Sequence, residues 1–177
     1  MPDRLTTVFL DRDGVINAKA PEGQYVESWD GFALLPGVVD AVRALRAAAL
    51  RVVVVTNQRG VALGRMTAAD VEAIHERMSG LLPLDAVYYC PHEDGECDCR
   101  KPRTGMFERA AREVPGVALG RGAAIVGDSE SDMEAGRRLG LVLVKVGPAE
   151  SEVDHAAGSL AEAADWLLSS FAPQPAG

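Results

Sequence analysis

Residues 51–57 read Arg-Val-Val-Val-Val-Thr-Asn, and this run decides the fold. Four successive valines show no polar–apolar alternation, so the strand they form has apolar surroundings on both faces. That is the mark of an inner strand of a parallel sheet covered by helices on both sides. The neighbouring segments agree. Upstream, Pro36-Gly37 interrupts the backbone before an Ala/Leu/Arg-rich stretch that predicts a helix over 38–49. Downstream, Thr67-Ala-Ala-Asp70 forms a capping box with Asp in place of the usual Glu and opens a helix to about residue 79. The same alternation runs outward in both directions. Strands are expected at 6–10, 85–89, 123–126 and 141–146, and helices at 105–114, 131–139 and from Ser159-Leu-Ala-Glu162 to residue 170. The pattern predicts an α/β protein with a Rossmann-like, doubly wound parallel sheet. One domain spans residues 1–177, ending in a frayed tail at 172–177.

A chain of 177 residues can bury a sufficient core without covalent staples. Its 26 acidic and 18 basic residues leave a net charge of −8, which disfavours nucleic acid as a partner. A small anionic substrate remains compatible, because local cations and a metal override the global field. Residues 1–7 carry no apolar run of signal-peptide length, and no segment is apolar for long enough to span a bilayer. The expectation is a cytoplasmic monomer with no membrane partner.

Polar residues interrupt the strand pattern at one end of the sheet. Asp11 and Asp13 follow the first strand, Thr56 and Asn57 the second, and Asp128 the fourth. Ligands of open α/β sheets bind outside the carboxyl ends of the strands, whereas ordinary solvated loops scatter polar groups at both ends. Leu10-Asp11-Arg12-Asp13-Gly14 places two carboxylates at i and i+2 of an extended segment, hence on one side. Read alone, it is a solvated turn, a nucleophile beside a second acid, or a metal pair. Gly127-Asp128-Ser129-Glu130-Ser131-Asp132 offers hard oxygens suited to Mg2+, with Ser131 or Asp132 as the candidate cap of the next helix. Thr56-Asn57-Gln58 is either a simple turn or a hydroxyl and backbone N–H groups for phosphate oxygens. Arg100-Lys101-Pro102 is a solvated basic pair or a cation aimed at a ligand.

The order of these pieces is more specific than any one of them. Asp-x-Asp-Gly-Val, strand–Thr-Asn, Lys-Pro and Gly-Asp-x-x-x-Asp resemble the four ordered motifs of the haloacid dehalogenase (HAD) superfamily of phosphatases, over residues 8–146. The resemblance implies a magnesium-dependent phosphomonoester hydrolase of a small phosphorylated metabolite. Asp11 is then the nucleophile that forms an aspartyl-phosphate, and Mg2+ is held by Asp11, Asp128 and the main-chain carbonyl of Asp13. Asp13 is the general acid and base, while Lys101 and the Thr56 hydroxyl bind the transferring phosphoryl group. The Asn57 backbone N–H joins them, and Asp132 stands behind, holding Lys101 or a metal-bound water.

All three cysteines fall within ten residues, in Cys90-Pro91-His92 and Cys97-Asp98-Cys99. A Cys3His set is an established structural zinc site, and an odd cysteine count argues against a disulfide framework. The expected short zinc loop, 90–99, ends directly before Arg100 and Lys101. With Cys-Pro-His and Cys-Asp-Cys-Arg-Lys-Pro included, the chain resembles the branch of that superfamily containing heptose-bisphosphate and histidinol-phosphate phosphatases. The sequence around Tyr25–Trp29 and Thr56–Met66 is nearer the heptose side, and the short His92–Cys97 loop nearer the histidinol side. The resemblance assigns substrate phosphate to Arg100 and places Lys19 and Arg59 in the same cleft. Ordinary surface charge is the alternative for the last two. Segments this short between motifs leave no room for a large cap domain. Trp29 and Phe32 are expected to anchor the first loop as a small hydrophobic plug.

Overall fold

The computed structural model describes residues 4–171, so the expected tail at 172–177 lies outside the described residues. Six strands form one sheet: β1 (Thr7–Leu10), β2 (Arg51–Asn57), β3 (Ala86–Cys90), β4 (Ala123–Gly127), β5 (Val142–Val146) and β6 (His155–Ala157). Their order is β3-β2-β1-β4-β5-β6, and every pairing is parallel. Five α-helices connect or follow them: α1 (Val38–Ala47), α2 (Ala68–Leu81), α3 (Gly105–Glu113), α4 (Glu130–Leu139) and α5 (Leu160–Phe171).

Both faces of the sheet are covered, as the valine run required. Val52 and Val54 pack with Val8, Leu10 and Val126 beneath α1, α2 and α5, through Leu45, Ile74, Met78 and Leu160. Val53 and Val55 point the other way, joining Phe9, Ile125 and Leu143 under Phe107 of α3 and Met133 of α4. All four valines are fully buried. Burying one such side chain contributes about 1.5–3 kcal/mol, which explains why β2 holds only valine between Arg51 and Thr56.

Strand order reverses between β1 and β4, where the chain leaves in opposite directions along the sheet. A crevice forms at such a point, outside the carboxyl ends of the two strands. Leu10 pairs with Val126 in register, and the Asp11 N–H extends the ladder to the Val126 carbonyl at 3.0 Å. Asp11 and Asp128 are thereby brought to the mouth of that crevice from segments more than a hundred residues apart.

The structure departs from the sequence reading in a few places. β6, which pairs with β5 through Val144–His155, Lys145–Ala156 and Val146–Ala157, was not expected. Its three residues have no apolar periodicity of their own and become a strand by pairing. Short 3-10 turns at Trp29–Gly31 and Gly120–Gly122 were also absent from the reading. Neither Ser131 nor Asp132 caps α4. Ser129 does, accepting the Asp132 N–H while the Asp132 carboxylate accepts the Ser129 N–H, the reciprocal box that serine-x-x-acid spacing favours. The Thr67–Asp70 box is formed as expected. Among the described residues, only a loop, one 3-10 turn and α1 separate β1 from β2, so no cap domain covers the crevice. Trp29 and Phe32 stack with ring centroids 4.9 Å apart, pinning the first loop.

Candidate active site

The crevice at the β1/β4 switch is a cleft of about 380 Å³, lined in part by Asp11, Asp13, Lys19, Arg100, Lys101 and Asp128. Asp11 emerges directly from β1. Lys101, from the loop before α3, meets it at 2.9 Å and is itself almost fully buried. The ammonium spends its three protons on Asp11 (2.9 Å), Asp132 (2.6 Å) and the Val55 carbonyl (2.8 Å). Burial alone would push Lys101 toward its neutral form, but the two carboxylates outweigh it and hold its pKa above the usual range. Asp132 is held in turn, because its other oxygen accepts from the Ser129 N–H and hydroxyl at 3.1 and 2.7 Å. The structure thus brings Asp132 into direct contact with Lys101.

Asp11 itself is pushed well above the ordinary carboxyl pKa, first by burial and then by the charge of Asp132, with Lys101 pulling the other way. Carboxylate oxygens of Asp11, Asp128 and Asp132 lie within 4.8 Å of one another. So dense a set of acids is what a hard divalent cation stabilises. With Asp132 committed to Lys101 and Ser129, the oxygens left for a cation are those of Asp11 and Asp128. Gly14 packs its backbone against Asp128: a Cβ at this position, where φ is +85°, would lie 2.2 Å from Asp128 Oδ2. Lys19, an exposed side chain, reaches the same carboxylate at 3.3 Å.

Asp13 stands in a different environment from Asp11. Burial raises its pKa, but the Arg12 guanidinium, with hydrogen bonds from Asn17, Arg12 and Gln58, more than compensates and holds it below the usual value. Asn17 Nδ2 and Arg12 Nη2 both reach Oδ1 at 2.9 Å, and Gln58 Nε2 reaches Oδ2 at 3.0 Å. Thr56 is buried at the end of β2, and its Oγ1 accepts from Gln58 Nε2 at 2.9 Å. That leaves the hydroxyl proton available for a ligand. The Asn57 side chain clasps the Lys101 backbone from both sides: Nδ2 donates to the carbonyl at 3.2 Å, and Oδ1 accepts the N–H at 3.0 Å. The residue expected to meet phosphate through its backbone therefore also fixes the lysine.

Of the remaining cations expected here, Arg59 lines the cleft but is tied to Glu93. Arg100 also lines the cleft, and its Nη1 is buried with no hydrogen-bond partner among the described residues. The Cys3His atoms converge: Cys90 Sγ lies 3.0 Å from Cys99 Sγ, 3.5 Å from Cys97 Sγ and 3.4 Å from His92 Nδ1. Tetrahedral Zn–S bonds of about 2.3 Å separate sulfurs by roughly 3.8 Å, so these four atoms fit a closed zinc site with little adjustment. The Arg100 N–H donates to Cys97 Sγ at 3.3 Å, joining the cysteine cluster to the backbone that carries Lys101.

Sequence reasoning missed Arg12, Asn17, Gln58 and His75. Arg12 is fully buried beside the cleft, and His75 lies on the inward stripe of α2 with Val71, Ile74 and Met78. The available signals were an arginine between two candidate aspartates and a lone histidine at core spacing.

Comparison with known proteins adds independent findings. The family model for haloacid dehalogenase-like hydrolases matches residues 3–140. An Escherichia coli D-glycero-beta-D-manno-heptose-1,7-bisphosphate 7-phosphatase is 38% identical, covering 99% of this chain and 95% of that protein. A Mycobacterium tuberculosis relative, named for the alpha anomer of the same bisphosphate, is 43% identical over 72% of this chain and 69% of its own length. Among solved structures, a D,D-heptose 1,7-bisphosphate phosphatase from B. bronchiseptica, complexed with magnesium and phosphate, superposes with a TM-score of 0.80. It is 33% identical and covers 93% of this chain and 99% of that one.

Proposed function

The chain belongs to the haloacid dehalogenase-like hydrolases and is a phosphatase; from that premise we propose that it removes the 7-phosphate of D-glycero-D-manno-heptose 1,7-bisphosphate through an aspartyl-phosphate on Asp11. The observation that carries the mechanism is the buried Lys101 ammonium, which bridges Asp11 and Asp132 beside Asp128 at the sheet's switch point.

A carboxylate approaching a phosphate dianion meets like charge, so the site has to supply positive charge in advance. Asp11, Asp128 and the Asp13 carbonyl would hold Mg2+, which would supply part of that charge as a Lewis acid. Lys101 supplies the rest, with no reorganisation, because Asp132, Val55 and Asn57 already hold it. Asp11 attacks phosphorus as the sugar C–O–P oxygen departs, and Asp13 delivers a proton to that oxygen. Asp13 then takes a proton from the water that hydrolyses the aspartyl-phosphate. The Thr56 hydroxyl donates to the transferring oxygens throughout.

The substrate reading rests on the names of the relatives and on the charge of the cleft. In a chain of net charge −8, the opening gathers Lys19, Arg59, Arg100 and Lys101. Asp11, Asp13, Glu22 and Asp128 line the same cleft, so the cation left over is Arg100, whose Nη1, unpartnered among the described residues, suits the second phosphate of a bisphosphate, whereas histidinol phosphate offers one phosphate and a cationic amine. The cysteine and histidine set is read as a structural zinc site that holds the backbone on which Lys101 is mounted.

The test is magnesium-dependent phosphate release from both anomers of the heptose bisphosphate, fructose 1,6-bisphosphate and histidinol phosphate. The heptose compounds should give the highest kcat/KM. A preference for histidinol phosphate would overturn the substrate assignment and leave the mechanism standing.

A further inference from the structure

Arg12 lies between the nucleophile and the acid–base carboxylate, yet it is fully buried. A guanidinium has only donors and stays charged, so burying it is costly unless each edge finds an acceptor. Its Nε and Nη2 grip one oxygen of Asp13 at 3.2 and 2.9 Å, and Gln58 Oε1 lies 3.4 Å from Nη2. The Phe32 ring lies 5.8 Å from the guanidinium carbon. The remaining edge, Nη1, meets His75 Nε2 at 3.1 Å. Because arginine only donates, Nε2 of His75 is the acceptor and the ring proton sits on Nδ1. His75 is fixed in turn by α2 and by edge-on packing against Tyr89, with ring centroids 5.6 Å apart.

We infer that His75 is a positioning residue for catalysis: through Arg12 it holds the Asp13 carboxyl where it can pass a proton to the leaving oxygen. The inference rests on the acid–base role proposed above for Asp13. Asn17 and Gln58 also touch that carboxyl, but both are neutral, and among the described residues Arg12 is its one charged partner. An acceptor lost at Nη1 leaves a buried donor unmatched, and the guanidinium turns to find another, taking Asp13 Oδ1 with it. Proton transfer depends on such placement: a misplacement of about 1 Å costs on the order of a hundredfold.

The test separates proton delivery from every other part of the reaction. First-turnover release is followed by quenched flow, in the full chain with magnesium, for the heptose bisphosphate and for p-nitrophenyl phosphate. The sugar alkoxide needs a proton to depart, and p-nitrophenolate does not. His75→Leu removes the acceptor at similar volume, His75→Met does the same with a more adaptable side chain should the leucine variant not fold, and His75→Gln restores an acceptor.

The expected result is a loss of roughly tenfold to a hundredfold on the sugar phosphate in the Leu or Met variant. The p-nitrophenolate burst should change by less than about threefold, with the Gln variant near wild type on both compounds. Equal losses on the two compounds, or none on either, would overturn the positioning role while leaving the phosphatase assignment intact. Wild-type protein inactive on both would instead overturn the reading on which the inference stands.

Discussion

His75 also makes the stability of this protein depend on acid in a way that can be calculated. Burial and then the neighbouring Arg12 charge lower its pKa from 6.5 to about 3, with Asp13 opposing in part. In the unfolded chain the imidazole titrates near its ordinary value of about 6.5. Above that pH both states carry it neutral, and stability is at its full value. As pH falls below about 6.5 the unfolded state takes up a proton that the folded state refuses, and stability is lost until the folded group titrates near 3. The slope approaches about 1.4 kcal/mol per pH unit, so acidification from about pH 7.5 to about pH 5 costs roughly 2 kcal/mol from this one group. For a domain of this size, that lowers Tm by roughly 4–8 °C. Other groups titrate over the same range, so the measurement is a difference. Urea unfolding free energies of wild type and His75→Gln, taken across that range, should converge by about 2 kcal/mol in the variant's favour as pH falls. A pH-independent difference, or one that grows in favour of the histidine on acidification, would refute the buried, neutral assignment and with it the tautomer argued for the Arg12 contact.

Asp11→Asn should bring turnover below detection while leaving Tm within a few degrees, since Lys101 keeps Asp132 and the Val55 carbonyl; normal turnover in a folded variant would exclude Asp11 as nucleophile. Gly14→Ala forces a Cβ to within 2.2 Å of Asp128 Oδ2 at a φ of +85°, so it should raise the magnesium concentration needed for half-maximal rate, and an unchanged magnesium titration would show that Asp128 is not a ligand. Metal analysis should find one zinc per chain. Stripping it should lower kcat and open the segment between His92 and Cys97 to protease, with recovery on adding zinc but not magnesium, whereas full activity in zinc-free protein would break the link from the cysteines to Lys101.

The parts of this structure that were legible are those in which the chain satisfies local rules. The valine run of β2 advertised burial on both faces, and the Thr67–Asp70 box opened α2 where its spacing said it should. Ser129 was equally open to reading, because Asp132 follows it by three residues; Ser131 looked like a cap only when that spacing was ignored. β6 was not legible, since its strand character comes from the neighbouring edge of β5 rather than from its own residues. Arg12 was hidden for a sharper reason. On an extended segment it points opposite to Asp11 and Asp13, toward the core, where a lone arginine is a poor prospect. Its acceptor arrives from α2, 63 residues away, on a histidine that in sequence is indistinguishable from a core filler.

That placement gives two aspartates, two residues apart, contrasting conditions. Burial and Asp132 drive Asp11 up against the pull of Lys101, whereas Arg12 and its companions bring Asp13 down against burial. Taken alone, this is the reverse of what the proposed first step needs, because Asp11 as nucleophile must be ionised and Asp13 as acid protonated. The two binding events correct both. A divalent cation held by Asp11 and Asp128 would oppose the influences that raise Asp11, and a phosphate dianion entering beside Asp13 would raise the group proposed to donate. Metal and substrate together would therefore move both groups toward the states that the proposed attack requires. Until then, an open site with no cap domain keeps Asp13, the proposed general acid, ionised.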